Sequence, residues 1–153
     1  MRYMRLTNVL YLVVASVLAG GCASVPMSSE PLDAEGKEFT TAPGHASIYV
    51  YRGSGTGTAV IFEVLLDGRI AGFLATNTYL LLSVSPSQHT LIVKSSENAQ
   101  QHKILAETRK QYFFKVSPSL GMLRATVHSQ PVDQEEGRRD VIHTKRAEAT
   151  TYE

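Results

Sequence analysis

Two kinds of apolar spacing divide the chain. An apolar run, Val9 to Leu18, follows Arg2 and Arg5 and gives way to the small residues Ala19, Gly20 and Gly21 before Cys22. Ten residues are too few to span a bilayer, which takes a helix of about 20. A basic start, a short apolar stretch and a small-residue exit make the layout of a cleaved secretory signal over residues 1–21. From Ala46 onward the spacing changes. Apolar, β-branched and aromatic residues come in short runs separated by turn residues, as a sandwich or small barrel requires.

The alternation predicts strands at Ser47–Arg52, Val60–Leu66, Arg69–Leu74, Thr78–Val84, His89–Lys94, His102–Thr108, Gln111–Val116 and Met122–His128. In the first, Ile48 and Val50 share one face, and Tyr49 and Tyr51 share the other. Asp67-Gly68 is the strongest hairpin signal, because a type I′ turn needs the positive φ that Asp and Gly tolerate. The expected fold is all-β, an antiparallel β-sandwich of about seven to eight strands over residues 45–130. After Pro131, Asp133 and Glu136 have capping-box spacing, and Arg138 and Arg139 follow, which predicts a short C-terminal helix. Gly137 weakens that helix, and Val141-Ile142 reads alternatively as an edge strand, within a final segment 131–153. Residues 22–44 are rich in Ser, Pro, Gly and charge without apolar periodicity, and read as a flexible tether with Leu32 and Phe39 as local docking points.

Charge narrows the partners. Fifteen bases stand against 14 acids, and removal of residues 1–21 takes Arg2 and Arg5 away. A near-neutral chain has no clustered field for a phosphate backbone, so nucleic-acid binding is disfavoured. The single cysteine allows no internal disulfide, so Cys22 is judged on its reactivity. Leu18-Ala19-Gly20-Gly21-Cys22 resembles the bacterial lipobox, which implies that Cys22 receives lipid and that its freed amine is acylated as well. Several acyl chains anchor a protein stably where one does not. Ala23 stands where an aspartate commonly signals inner-membrane retention, so the resemblance implies the outer membrane; the domain is expected to face the periplasm, with the cell surface as the alternative.

Tyr49-Val50-Tyr51-Arg52, Leu66-Asp67-Gly68-Arg69 with Gly72 and Leu74, then Tyr79, Pro86 and His89, then Tyr112-Phe113-Phe114 resemble the lipoprotein family known as domain-of-unknown-function family 2846. The resemblance covers about Ala46 to His128. Ser87 and Lys110 stand where that family usually has glycine. The resemblance implies a lipid anchor followed by a β-sandwich, and no established activity.

Candidate chemistry is sparse. His45, His89, His102, His128 and His143 lack the close pairing of a zinc motif and are expected on surfaces or turns. Gly53 to Gly57 lacks the Gly-Lys-Ser/Thr ending of a phosphate loop, and no Gly-x-Ser-x-Gly nucleophile turn occurs. No catalytic residue, cofactor or metal ligand is therefore assigned. If each sheet buries one face, some of Tyr49, Tyr51 and Phe113 must reach solvent, and with Arg52 they form a candidate binding patch for an envelope protein or glycan. The expected function is a non-enzymatic binding or structural module, engaging its partner through that patch or by edge-strand pairing. The alternative is a small hydrolase acting on an envelope polymer, with a Ser/His/Asp set assembled only in three dimensions.

Overall fold

The computed structural model describes residues 24–55, 59–120 and 125–150. The expected signal segment, Cys22 and Ala23 lie outside the described residues, as do 56–58 of the glycine-rich loop and Met122. Among the described residues, nine strands form two sheets. β1 (Ala46–Arg52), β4 (Thr78–Val84), β7 (Gln111–Leu120), β8 (Ala125–Val132) and β9 (Lys145–Arg146) make the first, in the order β8-β7-β1-β4-β9. β2 (Phe62–Leu66), β3 (Arg69–Leu74), β5 (Gln88–Lys94) and β6 (Ala99–Leu105) make the second, in the order β3-β2-β5-β6. The all-β sandwich follows the alternation of the sequence. Two pairings depart from the antiparallel expectation: β1 runs parallel to β7, and β4 runs parallel to β9. Both are long crossovers, invisible to local turn signals.

β1 is the central strand, buried at all seven positions. Ile48 and Val50 face the interior between the sheets, where they meet Phe62, Val64, Leu80, Leu91, Val93 and Phe114. Tyr49 and Tyr51 face the other way. There the two-sided burial is completed by two short helices, α1 (Glu30–Gly36) and α2 (Gln134–Ile142), packed against the outer side of the first sheet.

Both flanks of the sandwich are sealed. Along one, alternate side chains of β6 and its approach take up the free edge of β8. Asn98 donates from Nδ2 to the Val127 carbonyl at 2.8 Å and accepts the Val127 N–H at 2.7 Å, and Gln100 Oε1 accepts the Ser129 N–H at 2.6 Å. Asn98 thus reproduces with one amide what a neighbouring strand would supply. Along the other flank, β9 runs on into residues 147–150. Ala147 bridges to Met27 and Ala149 to Gly72, while Thr150 N–H donates to Ala71. An edge paired or covered in this way cannot template aggregation.

The tether expectation fails for residues 24–44. Val25 is buried in the main core, Ser28 N–H donates to Arg146, and α1 is pinned to the sheet by tyrosines. The segment lacks periodicity because its partners are distant in sequence, not because it lacks partners. The C-terminal helix is present, with the Asp133 carboxylate accepting the Glu136 N–H at 2.8 Å. Val141 and Ile142 belong to this helix, and the edge strand comes later, at Lys145–Arg146.

Candidate functional site

The expected aromatic patch is not at the surface. Tyr49 and Tyr51 are fully buried, and Phe113 and Arg52 are 2% exposed. The expectation counted one buried face per sheet, whereas α1, α2 and Phe39 cover the first sheet's second face. Tyr49 stacks on Phe113, ring centroids 4.8 Å apart, and Phe39 tilts against both. The three tyrosine hydroxyls each hold a helix. Tyr49 donates to the Gly36 carbonyl at 3.0 Å, Tyr79 to the Asp33 carbonyl at 3.1 Å and Tyr51 to Asp140 Oδ2 at 3.0 Å. Burial pushes the Tyr49 phenol up to about 12. Tyr51 rises further, through burial and then the Asp140 carboxylate that accepts its hydrogen bond. Lys115 reaches Glu136 and Asp140, 2.9 Å each, and ties α2 to β7.

Gly137 is the contact point of this layer. A Cβ there would overlap Cγ and Cδ1 of Phe113 and lie 2.5 Å from its Cβ. The residue that weakens the helix by propensity is the one that lets the helix lie on the ring. Arg52 shares its parity with Ile48 and Val50 and so points between the sheets, where its guanidinium lies 5.0 Å from the Phe62 ring centroid and donates to the Val60 carbonyl. Burial pulls it below its ordinary value. It closes one end of the interior and offers no cation to a partner.

At the opposite end lies a polar cluster whose members the sequence alone places at ordinary surfaces and turns. Asp67 (φ +50°) and Gly68 (φ +81°) make the expected positive-φ turn between β2 and β3. The Asp67 carboxylate then turns back to β5. Oδ1 accepts the Thr90 N–H at 2.7 Å, and Oδ2 lies 2.6 Å from His89 Nδ1. His89, only 8% exposed, places its Nε2 2.8 Å from the Ser85 carbonyl and 3.0 Å from Ser87 Oγ. A Ser–His–Asp juxtaposition has therefore been assembled by two turns, but its proton inventory is wrong for a nucleophile. Both ring nitrogens face acceptors, a carboxylate and a carbonyl, and only an imidazolium donates to both. A nitrogen already carrying its proton cannot take one from Ser87. Burial alone would lower His89, but the Asp67 hydrogen bond, the Ser85 carbonyl and the Asp67 charge raise it. Burial alone would likewise raise Asp67, and the bonds from His89 and Thr90 bring it below its usual range. The cluster is a brace joining the β2–β3 and β4–β5 turns. Its sequence signal was Asp67 at a position needing positive φ followed by a histidine at the start of a strand.

The other histidines are spread out. His45, His128 and His143 are exposed, and His102 lies 2.7 Å from Ser129 Oγ with its ring against Phe114. Burial and then the nearby His128 lower its pKa. Among the described residues, no group of three His, Cys, Asp or Glu is placed to hold a metal. A groove of about 680 Å³ runs beside α1 and the 146–150 segment, with Leu32, Leu66, Leu82, Ser83 and Glu148 in its lining and no histidine among its walls. No helix among the described residues is long and apolar enough to cross a membrane.

Comparison with protein-family models gives no match, and no solved structure matches. The chain is similar to a protein of Haemophilus influenzae described as an uncharacterized protein. The two are 24% identical over 131 residues, which cover 85% of this chain and 78% of that protein.

Proposed function

We propose that this chain is an envelope lipoprotein of the bacterial outer membrane, anchored through acylated Cys22, facing the periplasm, and working as a non-enzymatic binding or structural module. One observation carries the reading. The lipobox-like stretch ends at Cys22, and Val25, three residues later, is buried at 7% exposure, so the cysteine stands where an anchor would join a domain. The likeness to domain-of-unknown-function family 2846 belongs to the same proposal.

The side chains that would suggest a hydrolase support the module instead. His89 is engaged by Asp67 and Ser85 as a turn brace, and His102 by Ser129 at the seam between the sheets. Partner contact, with an envelope protein or glycan, then falls to surfaces other than the buried Tyr49, Tyr51, Arg52 and Phe113. The test is metabolic labelling with a palmitate analogue followed by membrane fractionation, comparing the parent with Cys22→Ala. Label and outer-membrane recovery that both vanish in the variant support the proposal. A parent protein that is unlabelled and soluble contradicts it.

A further inference from the structure

The two sheets are finished differently on their outer sides. Helices cover the first, but no described residue covers the outer face of the second. Register places Ile70, Leu65 and Ile92 side by side across β3, β2 and β5, with Phe73, Glu63 and Lys94 in the adjacent row. Ile70 and Phe73 are 39% and 40% exposed, and Leu105, at the end of β6, is 71% exposed. A scattered surface leucine needs no explanation. Leu65 and Ile92 lie half-buried beside Ile70, so the apolar positions form one continuous row across three strands, the kind of surface that marks a contact.

Two further observations say what covers it. The first is where the chain enters. Pro26 and Phe73 line one small cleft with Gly72 and residues 148–150. Only Ala23 and Ser24 separate Cys22 from buried Val25, a reach of about 10 Å at full extension. An anchor at Cys22 therefore holds the Phe73 side of the molecule at the bilayer. The second is charge. The two helices hold six acids against two bases, whereas the four strands of the second sheet hold Arg69, Lys94 and Lys103 against Glu63 alone, which lies 3.6 Å from Lys94. The helical side is repelled by anionic headgroups and the second sheet is attracted to them.

We infer that the outer face of the second sheet is a lipid-contacting surface, seated on a bilayer containing anionic phospholipid, with Phe73 and Ile70 in the interfacial region and Lys94 and Lys103 among the headgroups. The inference rests on the anchoring of Cys22 proposed above. It replaces a domain standing off on a flexible arm with one laid down in a fixed orientation.

The chain contains no tryptophan, so single-tryptophan variants report position directly. Membrane-extracted, processed protein carrying Phe73→Trp, Ile70→Trp or, on α2, Ile142→Trp is reconstituted into vesicles of phosphatidylethanolamine and phosphatidylglycerol with brominated acyl chains. The mass of the N-terminal peptide is measured on the same samples. Expected is several-fold stronger quenching at positions 73 and 70 than at 142, diminishing when phosphatidylcholine replaces phosphatidylglycerol. Equal quenching at all three positions, or none, in protein whose Cys22 carries acyl chains overturns the orientation and leaves the anchor standing. Protection of position 73 by a co-purifying protein instead of lipid overturns it too. An unmodified Cys22 removes the anchor and the inference with it. Ile70→Trp guards against a folding defect peculiar to position 73, and circular dichroism matching the parent qualifies each variant.

Discussion

Gly137→Ala is the sharpest test of how α2 sits on the first sheet. In an exposed helix interior this substitution gains about 1 kcal/mol, because alanine loses less backbone entropy. Here the new methyl would overlap Cγ and Cδ1 of Phe113. The ring cannot retreat, since Tyr49 stacks on it at 4.8 Å and the residue is 2% exposed. Relief must come from lifting α2, which strains the Tyr51–Asp140 and Lys115–Asp140 bonds, 3.0 and 2.9 Å long. Overpacking costs about 1–3 kcal/mol, and one weakened hydrogen bond adds about 1 kcal/mol. Set against the helical gain, the expected net loss is about 2 kcal/mol. Urea unfolding followed by circular dichroism reads it as a lower midpoint at unchanged slope. In a Phe113→Leu background the same substitution should cost about 1 kcal/mol less, a coupling that contact between the two sites requires. A Gly137→Ala protein as stable as the parent, or more so, would refute the packing of α2 on Phe113.

Three further outcomes follow from the fold. Asn98→Ala removes both bonds to Val127, so it should destabilise by about 1–3 kcal/mol and speed amide exchange along β8, measured by hydrogen–deuterium exchange. Because His89 is raised, its stabilisation is complete below its ordinary value of 6.5 and is lost as pH climbs through the raised native value; because Asp67 is depressed, its share is complete above 3.8 and is lost as pH falls through the depressed value. Asp67→Asn should therefore be most destabilising between those two ordinary values and less so in alkali, as urea midpoints across pH will show. Spectrophotometric titration should find the Tyr49 phenol ionising only near pH 12 and those of Tyr51 and Tyr79 later still, with each phenylalanine variant removing its own share of the absorbance.

What the sequence made legible was local. Period-two alternation marked the strands, although β6 begins at Ala99 and β7 runs to Leu120, beyond the expected limits. Gln100 and Gln101 carry no apolar signal, because Gln100 serves the seam with β8. The Asp67-Gly68 turn was readable because positive φ restricts residue choice. Alternation could show that Tyr49 and Tyr51 share a face, but not what covers it, since their partners lie in 30–36 and 134–142. Gly137 shows the same limit: its cost is local and its reason, Phe113, lies 24 positions earlier. The Asp67–His89 brace spans 22 positions and exists only once β2 and β5 are in register.

Anchoring at Cys22 is read most plainly from the intact mass of the N-terminal peptide of membrane-extracted protein. The predicted peptide begins at Cys22 and carries the mass of a diacylglycerol on the thiol and an acyl chain on the amine. A peptide that retains residues before Cys22, or one that begins there with an unmodified thiol, would contradict anchoring at this cysteine.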